Sequence, residues 1–76
     1  MVTDEKWQGR AKGLLKAELR RRNVSYKQLA EKLEKIGVHE TEANIANKIS
    51  RGGFSTVFLL QCLDAIECKN LPVGLD

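Results

Sequence analysis

Few side chains in this sequence could carry covalent or metal chemistry. Cys62 and Cys68 are the only cysteines and His39 the only histidine. Six residues apart on one helix, the two thiols would point to nearly opposite sides, so they could neither bridge locally nor share a metal. Their number is also too low for a disulfide scaffold. The expectation is a buried thiol at Cys62 and a peripheral one at Cys68. A lone histidine forbids a histidine-based metal cluster, and no glycine turn, oxyanion loop or acid partner surrounds either cysteine. Gly52-Gly53 is an isolated pair after a helical pattern, not a phosphate-cradling loop. The carboxylates are scattered among basic residues, as solvated ion pairs usually are. No catalytic, metal or cofactor site and no small-molecule substrate is therefore expected. Enzyme activity ranks last among the readings.

The residues that remain are polar and basic, and their positions depend on the elements that carry them. With 76 residues, the chain reads as one domain over residues 1–76. No apolar run approaches the roughly 18 residues that cross a membrane, and MVTDEKW lacks a signal-peptide pattern. A cytoplasmic location is the corresponding expectation.

Apolar periodicity predicts four helices. The first spans about Asp4 to Arg22, capped by Thr3, with Asp4 and Glu5 at its positive end and Arg20 to Arg22 at its negative end. Trp7, Ala11, Leu14, Leu15 and Leu19 form its apolar stripe, and Gly9, Gly13 and Ala17 a separate small-residue face. After a break at Asn23-Val24, Ser25 to Gln28 reads as a capping box opening a second helix. Leu29, Leu33 and Ile36 continue the stripe there, and Gly37 ends the helix. Thr41 caps a third helix reaching about Arg51, with Ile45 and Ile49 inward and Gly52-Gly53 as its stop. Ser55 caps a fourth, whose Phe58, Leu59, Cys62, Leu63 and Ile66 read as core. Trp7 and Phe54 read as core or rim. The tail, 68–76, contains Pro72 and Gly74 and is expected to be extended or irregular, its Leu71, Val73 and Leu75 alternating as in a short strand.

This order of elements resembles the lambda-repressor-like (phage repressor/Cro type) helix-turn-helix domains. The matching stretches are VSYKQLAEKL, Val24 to Leu33, and KISRG, Lys48 to Gly52, followed by FSTVFLLQCLDAI. The whole chain also resembles a family of small bacterial domains of unknown function. The resemblance implies a compact all-α, four-helix domain with its helix-turn-helix at about 25–52. It also implies that the second helix faces the phosphate backbone and the third lies in the major groove of double-stranded DNA.

Carried over by position, Tyr26, Lys27 and Gln28 fall at the backbone-facing start of the second helix. On the third helix Ala43, Asn47 and Ser50 point outward, with Asn44 and Arg51 beside them. Asparagine can pair bidentately with adenine, and arginine with guanine or a phosphate. A second register, aligned on KISRG, turns Ala46 inward and exposes Lys48. The DNA-binding set is thus Tyr26, Lys27, Gln28, Asn44, Asn47, Lys48 and Arg51. Two asparagines on an exposed helix face also cost helix propensity, which hydrogen bonds to the preceding loop would explain equally well.

The chain departs from the repressor pattern in three respects. From Leu29 to Gly52 it is about six residues longer than the usual repressor spacing, which puts a loop containing Gly37 to Glu40 in place of a tight turn. Ser50 stands where a glutamate is common, and Glu40 and Glu42 open the third helix.

Charge divides unevenly. Residues 1–35 hold ten Lys/Arg against five Asp/Glu, net +5; residues 36–76 hold three against five, net −2. The basic half therefore lies on the first two helices and not on the candidate reading helix. The leading expectation is a bacterial regulator that binds DNA as a homodimer. The rival is an interaction or adaptor domain reusing the fold without DNA. An RNA-associated role lacks the stacking aromatics usual for single strands.

Overall fold

The computed structural model describes residues 3–73, apart from the side chain of Thr3, and consists of four helices. They are α1 (Thr3–Arg21), α2 (Tyr26–Lys35), α3 (Glu42–Arg51) and α4 (Thr56–Ala65). No strand occurs among the described residues. The architecture is all-α, as the apolar periodicity predicts. The Thr3 cap and the Gly74 and Leu75 portion of the tail lie outside the described residues.

Each of the later helices begins on a hydroxyl cap. Ser25 is extended (φ −80°, ψ 167°) and its Oγ accepts from the Gln28 amide at 3.1 Å, while Gln28 Oε1 accepts from the Ser25 amide at 2.9 Å. This is the reciprocal capping box read from SYKQ, and it satisfies two donors that a helix start leaves unpaired. Thr41 and Ser55 accept from the Asn44 and Phe58 amides in the same manner.

The helix ends share one device. At the end of α2, Gly37 enters the left-handed region (φ 84°), its amide donates to Glu34 O, and the Val38 amide reaches back to Leu33 O at 2.9 Å. That pair of bonds is a Schellman motif. It recurs after α1, through Asn23 (φ 58°) and Val24, and after α4, through Glu67 (φ 58°) and Cys68. In all three, the residue after the left-handed one packs partly against the core: Val24, Val38 and Cys68. Each motif thus turns the chain and returns it to the apolar interior.

Leu15 and Leu19 of α1, Leu29 and Leu33 of α2, Ile45 and Ile49 of α3, and Phe58, Cys62, Leu63 and the following Ile66 form one core. α2 packs on both α3 and α4, and α1 crosses α3. The crossing is tight. Gly52, left-handed at φ 74°, sits so close to α1 that a Cβ there would lie 2.5 Å from the Gln8 carbonyl oxygen. Lys12 donates to the Ser50 carbonyl at 3.1 Å, so a cation of α1 also meets the negative end of α3.

Three expectations are corrected. Trp7 falls on the apolar stripe of α1 but is 52% exposed; at this level α1 meets the end of α3 through Gln8, about 100° around the helix from Trp7. Ile36 is 42% exposed, whereas Ile66, at the equivalent end of α4 with a similar backbone (φ −96°, ψ 9°), is 6% exposed; the packing around α2 does not reach over its end. The stretch 68–73 forms no strand: no neighbouring strand offers it a hydrogen-bond ladder, and it attaches to the core only through half-buried Cys68 and Leu71.

Candidate nucleic-acid interface

α3 is fixed by Ile45 and Ile49, both fully buried. This is the first of the two registers, and it leaves Ala43, Asn44, Asn47, Ser50 and Arg51 exposed on the outer side. Neither the Asn44 nor the Asn47 side chain makes a hydrogen bond within the chain among the described residues; the one bond at Asn44 is its backbone amide to the Thr41 cap. The loop from Ile36 to Thr41 therefore does not account for the two asparagines.

Lys48 is placed differently. It is half-buried, its ammonium pairs with Glu40, and it lies 4.9 Å from the Phe58 ring centroid. Ala46 is half-buried as well. Lys48 thus ties the α2–α3 loop to α4 and is not aligned with the outward row of α3. Glu40, one of the two acids read at the opening of the third helix, is mostly covered and has its charge balanced by this lysine. Glu42 remains exposed in the first turn of α3.

At the start of α2, Lys27 is fully displayed, Gln28 is occupied by the capping box and Tyr26 packs partly against the core. Tyr26 and Ser25 line an open groove between α1 and α2 together with Lys16, Leu19, Arg20 and Val24. The arginines at the end of α1 divide. Arg21 and Arg22 both hold Glu18, whose side chain is buried, while Arg20 is exposed and has no ion-pair partner among the described residues. Glu18 is a buried carboxylate that a simple surface reading of α1 does not anticipate. Its signal is present in the sequence, because Glu18 lies three and four residues after Leu15 and Leu14 and precedes Arg21 and Arg22 at the same spacing.

The two thiols do not share a helix: Cys62 is buried within α4, and Cys68 lies beyond its end and is half-buried; both are free. Burial, reinforced by the negative charge of Glu40 and offset in part by Lys48, pushes the Cys62 thiol up to about 12. A thiol so held is inert as a nucleophile. His39 pairs with Glu34 on the surface at 2.8 Å. Among the described residues no cluster of three or more His, Cys, Asp and Glu side chains could hold a metal, and no helix is long and apolar enough to cross a membrane.

A family model described as "Domain of unknown function (DUF6471)" matches residues 7–71, which takes in all four helices beyond the first turn of α1. The chain belongs to this family. No curated protein and no solved structure matches it. For this DUF6471 domain, then, chemical interest concentrates on the outer row of α3, the displayed start of α2 and the basic surface of α1.

Proposed function

We propose that this domain is a DNA-binding module of repressor-like helix-turn-helix type, a small bacterial regulator that acts in the cytoplasm as a homodimer. α3 is its reading helix. The observation that carries the proposal is the outer row of α3, where Asn44, Asn47 and Arg51 are exposed and the two asparagine side chains have no hydrogen-bond partner among the described residues. Asparagine lowers helix stability, and bidentate pairing with adenine in the major groove gives a reason for two of them. Lys27 at the capped start of α2 supplies a phosphate contact, and the positive end of that helix favours an anion. Tyr26 and Gln28 help hold this end in place. Lys48 keeps the long loop against α4 and is assigned no base. One such module offers few contacts, and two-fold pairing would present two reading helices to half-sites about one DNA turn apart.

Selection of bound fragments from a mixed duplex pool, followed by fluorescence-anisotropy titration, tests the reading. An enriched palindrome is expected. Asn47→Ala should fold normally and lose about 1–3 kcal/mol of affinity for that sequence. Lys27→Gln should weaken all sequences alike and lower the salt slope by about 1. Enrichment of no sequence, or an Asn47→Ala variant that binds the selected site like the parent, would refute the assignment of α3.

The alternative is an adaptor role without DNA. What favours it is the pair Val57 and Leu60, three residues apart on α4 and 63% and 60% exposed, a larger apolar display than a domain of this size needs.

A further inference from the structure

The outer side of α1 is a second charged surface, made of other residues than the reading row of α3. From Lys6 to Arg22 the chain has seven cationic residues and one acidic residue, Glu18. Glu18 is turned inward, 2% exposed, and is held by Arg21 and Arg22. Its burial leaves the solvent side of the helix without a carboxylate beyond the first turn. By the ~100° per residue of an α-helix, Lys6, Arg10 and Arg20 lie on the side away from Leu15 and Leu19, with Lys16 at its margin. The positions between them are Gly9, Gly13 and Ala17, all exposed, and around Gly9 and Gly13 there is open space.

The helix dipole accounts for cations in the last turn, Arg20 and Arg21. It does not account for Lys6, in the first turn of α1 where cations are disfavoured, or for Arg10 in the helix interior. Nor does solubility, which is served by mixed signs. Lys6 and Arg10 instead flank Trp7, at 5.9 and 5.5 Å from its ring, and this contact restrains both charges on the outer side.

We propose that this face of α1 binds the phosphodiester backbone of duplex nucleic acid, independently of sequence. Lys6 and Arg10, and again Lys16 and Arg20, are about 6 Å apart along the helix, and the four span about 21 Å. The spacing is comparable to that of neighbouring phosphates along a strand. A protein partner would need a desolvated apolar centre; between these cations the surface offers glycine and alanine, and the one large apolar side chain beside them, half-exposed Trp7, is already engaged by Lys6 and Arg10. A phosphate backbone needs only charge and close approach, which the small residues allow. The choice of partner rests on the nucleic-acid reading above, but the surface is a different one.

The test is fluorescence-anisotropy titration of a mixed-sequence duplex at several salt concentrations, with the parent, Lys6→Gln/Arg10→Gln, Lys16→Gln/Arg20→Gln and Asn47→Ala, and with poly-L-glutamate as a competing polyanion. Lys6, Lys16, Arg20 and Asn47 are exposed and Arg10 is half-buried against Trp7, and circular dichroism melts check that each variant folds. Each double variant should bind the mixed duplex about tenfold or more weakly at low salt, with a salt slope shallower by roughly 2. Asn47→Ala should weaken binding to a selected site, as the α3 reading requires.

Double variants that match the parent in affinity and slope overturn the α1 assignment while leaving the α3 reading intact. Loss in the double variants, with Asn47→Ala indifferent even on a selected site, supports the α1 face and overturns the α3 reading. Poly-L-glutamate bound as tightly as the duplex overturns the phosphodiester assignment. A parent that binds no duplex at low salt overturns both readings.

Discussion

Cys62 illustrates how a single buried group links the packing of this core to pH. Its thiol lies at the centre of α4, fully buried, and burial together with the nearby Glu40 carboxylate raises it from the usual 9.0 to about 12. A group whose folded value is raised binds its proton more tightly in the native state. The unfolded chain therefore releases that proton first as pH rises, and stability is lost. Below about pH 9 both states are protonated and Cys62 contributes no slope. Between about 9 and 12 its contribution to the unfolding free energy should fall by up to about 1.4 kcal/mol per pH unit. Urea denaturation across this window, compared between the parent and Cys62→Ala, isolates the effect from the lysines and Tyr26. The variant should be less stable at neutral pH, because it leaves a small void, and should lose stability less steeply above pH 9. Equal slopes in the two proteins would show that the native thiol ionises freely.

Helix ends determine where the candidate surfaces lie, and two of them make opposite demands on the backbone. Gly52 closes α3 in the left-handed region against the Gln8 carbonyl, with no room for a Cβ. Glu67 closes α4 in the same region without being glycine. Gly52→Ala combines strain with a direct clash and should cost about 2 kcal/mol or more, loosening α1 from α3. Glu67→Gly removes the strain of a left-handed side chain, offset by the greater freedom of glycine in the unfolded chain, and should gain about 0.5 kcal/mol. Thermal melts of both variants decide it, and a Gly52→Ala domain as stable as the parent would contradict the tight crossing described above. These ends also explain how much was legible beforehand. Ser25, Thr41, Ser55, Gly37 and Gly52 act through bonds to residues no more than four positions away, so sequence alone places them. Ile45 and Ile49 follow from a helical period over one short segment. Trp7 and Ile36 belong to the same period, but whether a partner covers them depends on how the other helices pack around them, which no local pattern records. The Lys48–Glu40 pair, spanning the loop and closed over Phe58, was illegible for the same reason, and it divides the candidate site, setting Lys48 apart from Asn44, Asn47 and Arg51.

For the molecule as a whole, small size makes binding easy to detect through stability. A chain of this length buries only roughly 60% of its unfolded surface and rests on one core, so its stability is modest. Its unfolded chain carries the same charges, but it does not hold Lys6, Arg10, Lys16 and Arg20 on one side of a rod. Duplex DNA should therefore favour the native state, and linkage converts that preference into a rise in melting temperature. With free duplex at roughly a hundred times its Kd, the gain is about 2.7 kcal/mol. For a domain of 60–100 residues this is a shift of roughly 10–20 °C. The shift should shrink steeply between 50 and 200 mM salt, because the released counterions make the interaction salt-dependent. It should be smaller for Lys6→Gln/Arg10→Gln even where that variant melts like the parent without DNA, since the free domain gains nothing from these two side chains beyond their contact with Trp7. A melting temperature indifferent to duplex at low salt would mean that the basic side of α1 is only a solvated helix face. A shift that is equal in the parent and the variant would place the binding elsewhere on the molecule, on the outer row of α3 or at Lys27.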